Sequence, residues 1–112
     1  MIASDLIRGH LDTIILKLII EEDRYGYDIA SCIKERTKGQ FSLKEATLYS
    51  ALNRLEGKQA IESYMGNKTH GKKRRYYKIT PLGKAYYSEK IKEWEQFKTV
   101  LETLLEANYE TN

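Results

Sequence analysis

The feature that most constrains this chain is a change of period along it. Up to about residue 59, apolar side chains recur at steps of three and four. Two short β-prone runs follow, Ile61-Glu62-Ser63-Tyr64-Met65 and Arg75-Tyr76-Tyr77-Lys78-Ile79. After Thr80-Pro81 the helical period returns and holds to about Asn108. Such a chain must set helices on both sides of a single hairpin. With 112 residues there is room for one such unit.

Within the first part, Leu6, Leu11, Ile14, Ile15, Leu18 and Ile19 fall on one face of a helix predicted over Ser4 to Glu22. A second helix is predicted from Tyr25 or Gly26 to about Thr37, with Ile29, Cys32 and Ile33 inward. Gly39 sits where a positive φ would close it. Ser42-Leu43-Lys44-Glu45 has the form of a capping box and predicts a third helix ending near Gln59. Its inner face would be Leu48, Ala51, Leu52 and Leu55. The two β-prone runs flank GNKTHGKKR, which predicts a hairpin with a long, flexible tip. Thr80 as N-cap and Pro81 at the first helical position then open the last helix. The expected class is mainly α (α+β), a helix-turn-helix with a wing and a long C-terminal helix. The expected division is residues 1–80, the helix 81–108, and a tail 109–112.

Charge position says more than charge total. The formal net charge is +3, but Lys68, Lys72, Lys73, Arg74, Arg75 and Lys78 lie together between Gly66 and Lys78 with no acid among them. The rest carries 13 basic against 16 acidic residues. A basic hairpin suits a phosphate backbone, and equally a solvated loop. The third helix adds a second signal. Ala46, Thr47, Ser50, Asn53 and Arg54 fall on an arc opposite its leucines. Arg and Asn can pair with guanine and adenine edges, and the small residues allow close approach. Along the strand, Arg75 and Tyr77 alternate with Arg74 and Tyr76, so one of each pair is expected to pack inward.

ATLYSALNRLEGKQAIESY (46–64) with GKKRRYYKITPLGKAYY (71–87), Tyr25-Gly26-Tyr27-Asp28-Ile29, and GHLDTIILKLI (9–19) closely resemble the PadR family of bacterial transcription regulators. The short C-terminal segment around Trp94 resembles the compact subfamily with a single C-terminal helix. The resemblance implies a winged-helix fold and a two-fold dimer repressing through an inverted-repeat operator, for which ATGT/ACAT half-sites are usual in the family. It places DNA contacts on Thr47, Tyr49, Ser50, Asn53 and Arg54 and on the wing residues Lys72, Lys73, Arg74 and Arg75. Lys44, at the helix start, is a further candidate phosphate contact.

The last helix reads as an interface. Tyr87, Ile91, Trp94, Leu101, Leu105 and Asn108 form a stripe that Phe97 and Leu104 widen. One small domain cannot cover it. A homodimer is therefore expected, with Leu11 of the first helix joining Tyr87, Ile91, Trp94, Phe97, Leu101, Leu104 and Leu105 in the contact. Resemblance to the compact subfamily further implies a planar aromatic effector stacking on Trp94, with Phe97 and Ile15 as its expected neighbours. Aromatic residues at helical spacing also serve simply as interface core.

Other classes find little support. His10 and His70 lie on separate elements, neither beside Cys32, and no phosphate loop or metal-ligand cluster appears. No enzyme, cofactor or metal is expected. A single cysteine excludes an internal disulfide, no apolar run is long enough to span a membrane, and the opening residues lack a signal-peptide pattern. The cytoplasm is the expected location. The alternatives are a multidrug-binding or sequestering dimer, or a protein-interaction adaptor, with little DNA role.

Overall fold

The computed structural model describes the backbone of residues 4–69 and 71–110, and the side chains of 6–67 and 71–106. The elements run α1 (Ser4–Arg8), α2 (Leu11–Glu21), β1 (Arg24–Tyr25), α3 (Gly26–Arg36), α4 (Glu45–Gly57), β2 (Ile61–Thr69), β3 (Lys72–Ile79) and α5 (Pro81–Glu110). The mainly α winged-helix architecture read from the sequence is the one observed.

The first predicted helix is two. The chain breaks at Gly9-His10, and Leu6 on α1 is exposed. On α2 burial reaches beyond one stripe: Leu11, Ile15, Leu16, Leu18 and Ile19 are all covered, while Ile14 is only partly so. This helix is the spine of the core. It packs against α4, α5 and β3, and burying apolar surface on several sides of one helix is the main stabilising term.

α3 and α4 end in the same way, each with a non-glycine residue in the left-handed region. At the end of α3 the Gly39 N–H donates to the Lys34 carbonyl and the Lys38 N–H to that of Glu35. Gly39 takes the positive φ expected of it (φ 80), and Lys38 before it is also in the left-handed region (φ 51), so the closing turn begins one residue earlier. At the end of α4, Ala60 donates to Leu55 and Gln59 (φ 63) to Glu56, which repeats the motif. The expected capping box at Ser42 does not form. α4 starts at Glu45 with Lys44 as N-cap and no side-chain cap bond. Phe41 explains the shift. It is buried, and its backbone is tied to the Thr37 hydroxyl on both sides, so the turn is anchored there and the helix begins later.

The hairpin strands are longer and its tip shorter than predicted. β2 pairs antiparallel with β3 from Ile61↔Ile79 to Gly66↔Arg74, and again at Thr69↔Lys72 past an irregularity. Lys72 to Arg75 therefore lie in a strand and not in a loop. A two-residue strand that the sequence did not reveal, β1, adds to the other edge of β3. It also changes the burial of the tyrosines: Tyr76 and Tyr77 are both covered, where one was expected to be exposed. Tyr77 enters the core. Tyr76, on the opposite face, lies between Tyr25 and Tyr64, with ring centroids 5.5 and 5.7 Å away.

α5 opens as the sequence predicts: the Thr80 hydroxyl accepts from the Gly83 N–H at 2.9 Å. Gly83 is required here, because a Cβ would overlap the Ala60 carbonyl oxygen. The first half of α5 lies against α2, with Tyr86 and Tyr87 partly buried on the core. Beyond Trp94 the helix projects, and the chain measures 62 × 30 × 21 Å. Asn108, the side chains of Lys68 and His70, and the proposed tail 109–112 fall outside the residues whose side chains are described.

Candidate nucleic-acid interface and effector groove

The leucine face of α4 is buried as predicted, which fixes the arc that is left outside. Ala46, Thr47, Ser50, Asn53 and Gly57 are exposed on it, and Lys44 is exposed at the N-terminal end. The centre of the arc carries only small or short polar side chains. A groove in another macromolecule can therefore approach the helix backbone closely.

The two edges of the arc are held by neighbouring elements. On one side, Tyr49 reaches α3: its hydroxyl packs against Gly26, where a Cβ would collide with it, so Gly26 is the space that Tyr49 needs. Tyr49 keeps 40% of its surface exposed. On the other side, the Arg54 Nη2 donates to Asp12 Oδ1 at 2.5 Å and its Nε to Oδ2 at 3.4 Å. Sequence reading gave Arg54 to DNA and missed this partner on α2. No single-residue pattern reports a pair 42 positions apart.

In the wing, Lys72, Lys73 and Arg75 are exposed. Arg74 is half-buried with its guanidinium carbon 4.6 Å from the Tyr25 ring centroid, a cation–π contact that fixes its direction. Arg75 lies on the other face of the strand, the one that carries Tyr77. Burial pushes that phenol above its ordinary range and Arg75 opposes the shift. Lys78 pairs with Glu62 at 3.5 Å, so part of the wing charge is neutralised within the sheet.

Beneath the interface, Arg24 is buried at 6% exposure and was not foreseen. Its Nε donates to the Leu18 carbonyl at 2.7 Å, Nη1 to Asp28 at 3.0 Å and to the Cys32 sulfur at 3.2 Å, and Nη2 to Glu21 at 3.0 Å. Arg36 also binds Glu21, and the Arg36 hydrogen bond, with Arg24 behind it, holds that carboxyl down at about 2. Burial, then Asp28, pushes the Cys32 thiol up, so this sulfur is a poor nucleophile. The network clamps the end of α2 to α3 and so fixes the frame that carries α4.

Across the molecule, a groove of about 430 Å³ runs between α2, α3 and α5, floored by Ile14, Leu18, Ile33 and Phe41 and closed by Ile91 and Trp94. His10 packs edge-on against Trp94 at 5.3 Å, and Phe97 lies 6.3 Å from Trp94. Two sequence expectations are corrected by burial. Leu11 and Ile15 are core residues, 5% and 0% exposed in the single chain, and neither lines the groove; Ile14 does. Tyr87 and Ile91 face the groove, and Phe97, Leu101, Leu104 and Leu105 are exposed beyond it. Among the described residues no helix is long and apolar enough to cross a membrane.

A helix-turn-helix unit with an exposed polar α4, a basic wing beside it and one long helix behind defines a winged-helix nucleic-acid-binding protein. Residues 15–89 match the model of the transcriptional regulator PadR-like family, and the chain belongs to that family; its single C-terminal helix fits the compact subfamily. It is 55% identical over 107 residues to an uncharacterized protein of Lysinibacillus sphaericus, covering 96% of this chain and 98% of that one. A solved transcriptional regulator from Clostridium thermocellum superposes with a TM-score of 0.85 at 48% identity, covering 94% of this chain and 99% of that one. A PadR family transcription regulator from Clostridium difficile R20291 gives 0.74 at 38% identity, over 87% of this chain and 99% of that one. The chain is thus a PadR-like transcriptional regulator, and regulation through DNA binding is its function class.

Proposed function

We propose that the protein is a repressor that binds an inverted-repeat operator as a homodimer in the cytoplasm, and that a planar aromatic molecule releases it. Residues 1–80 carry the DNA contacts, the helix 81–108 carries dimerisation, and 109–112 is a tail. The observation that carries this reading is the exposed α4 arc of small polar residues, packed through β2 against the hairpin whose other strand, β3, is basic. Thr47, Tyr49, Ser50, Asn53 and Arg54 read or brace the groove, while Lys44, Lys72, Lys73, Arg74 and Arg75 meet phosphates. Support for the dimer comes from the far half of α5. Phe97, Leu101, Leu104 and Leu105 are 42–65% exposed, an apolar run that water disfavours and that a second copy would cover.

The effector would enter between His10 and Trp94. His10 is the N-cap of α2, two residues before Asp12, which holds Arg54 on α4. An occupant that displaces His10 thereby reaches the DNA face through one helical turn. Hydroxyl-radical footprinting on the DNA upstream of the protein's own gene tests the operator. Two protected half-sites about one helical turn apart are expected, and an unprotected duplex contradicts the reading. Quenching of Trp94 fluorescence by planar aromatic compounds, followed with DNA affinity in the same titration, tests the effector. Quenching that leaves DNA affinity unchanged removes its switching role.

A further inference from the structure

The Asp12–Arg54 pair joins two elements that the core already holds together, so it is not needed to fix α4 in place. We propose that Asp12 is a positioning residue for sequence reading: it holds Arg54 in one conformation with the far edge of its guanidinium turned outward. This rests on the DNA-binding reading of α4.

Three observations carry it. The contact is two-pronged, through Nε and Nη2 to the two carboxylate oxygens, which fixes both the position and the plane of the guanidinium. Of the five guanidinium N–H groups, two are used, and the Nη1 edge remains for another acceptor. The burial is unequal: the Asp12 side chain is 17% exposed and that of Arg54 48%. The carboxylate is the covered partner and the cation the presented one, the reverse of what masking would require. Arg54 also continues a strip of α4 that bears Ser50 and Thr47, one and two turns before it, so the presented edge extends a surface that is already polar and exposed. Asp12 itself lies in the first turn of α2, where the helix dipole favours its charge. A free arginine must lose its rotamer freedom on meeting DNA, whereas a braced one has already lost it. The acceptor that suits a fixed guanidinium edge is the O6/N7 pair of guanine.

The test uses a duplex enriched from a random pool by the wild-type protein and a scrambled duplex of the same length, with affinity read by fluorescence anisotropy. Asp12→Asn and Asp12→Ala are expected to lose about tenfold on the enriched duplex, with scrambled-duplex affinity unchanged or slightly higher. Neither should cost anything further in an Arg54→Ala background. Re-selection with Asp12→Asn should lose its preference at the same base position as Arg54→Ala. Wild-type or tighter binding to the enriched duplex by both Asp12 variants would show that the pair masks Arg54, and overturns the proposal. So does an equal loss in the Arg54→Ala background, which would mean that Asp12 acts through the fold. Asp12→Asn is nearly isosteric and keeps the test open if Asp12→Ala melts early. If the wild-type protein enriches no sequence, the DNA reading fails first and takes this inference with it.

Discussion

The far half of α5 and the outer face of α4 are both uncovered in the single chain, but exposure costs them different amounts. On α4 the exposed side chains are Ala46, Thr47, Ser50 and Asn53, which water solvates at no penalty. On α5 they are Phe97, Val100, Leu101, Leu104 and Leu105, each carrying apolar surface worth roughly 25 cal/mol per Å² if covered. An apolar face of this kind favours a partner of its own kind, the second copy proposed above. The polar face waits for one that brings charge and hydrogen-bond acceptors. One chain thus carries two exposed faces of opposite chemistry, joined through the packed first half of α5.

The sharpest way to break this contrast is on α5. Leu101→Glu leaves the single chain folded, because the residue is exposed there, but places two carboxylates in the apolar contact. Dimer affinity should fall about a thousandfold, on the order of 4 kcal/mol, by sedimentation velocity. A variant that stays dimeric would move the interface elsewhere. Next comes the joint between the two regions. Gly83→Ala drives a Cβ into the Ala60 carbonyl, and backbone must shift. A loss of about 3 kcal/mol in urea unfolding is expected. A nearly neutral result would show that α5 can slide on the domain.

On the polar face, Lys73→Ala should weaken binding to enriched and scrambled DNA alike and lower the salt slope by about 1. A loss confined to the enriched sequence would make Lys73 a base reader. The smallest effect lies beneath the interface. Glu21 has its carboxyl lowered from 4.5 to about 2 in the folded chain, so the stability it contributes is full above pH 4.5 and lost as pH falls towards 2. Thermal melting of Glu21→Gln should therefore fall less over that window than the wild type. Parallel curves would show that the Arg36 and Arg24 contacts contribute nothing.

Much of this arrangement is legible in the sequence because it rests on local periodicity. The buried face Leu48, Ala51, Leu52 and Leu55 defines the outer arc of α4 by subtraction, and Thr80-Pro81 marks the start of α5 by chemistry that acts within three residues. What the sequence hid depends on partners distant in the chain. The strand β1 and the burial of both Tyr76 and Tyr77 come from contacts that no period encodes. The same holds for Asp12, whose partner Arg54 lies 42 positions away, whereas the partners of Arg24 lie within eight residues but on two different helices. Each looks like an ordinary surface charge until folding brings its partners to it. Ser42 misled for the opposite reason: its local signal was sound, and the burial of Phe41 overrode it.

Sequence preference itself is the most direct measure of the central claim. The affinity of the wild-type protein for an enriched duplex and for its scrambled counterpart should be compared at several salt concentrations. The account predicts binding of the enriched duplex at least about a thousandfold tighter than the scrambled one, with both affinities falling as salt rises. Equal affinity for the two duplexes at every salt concentration would contradict it.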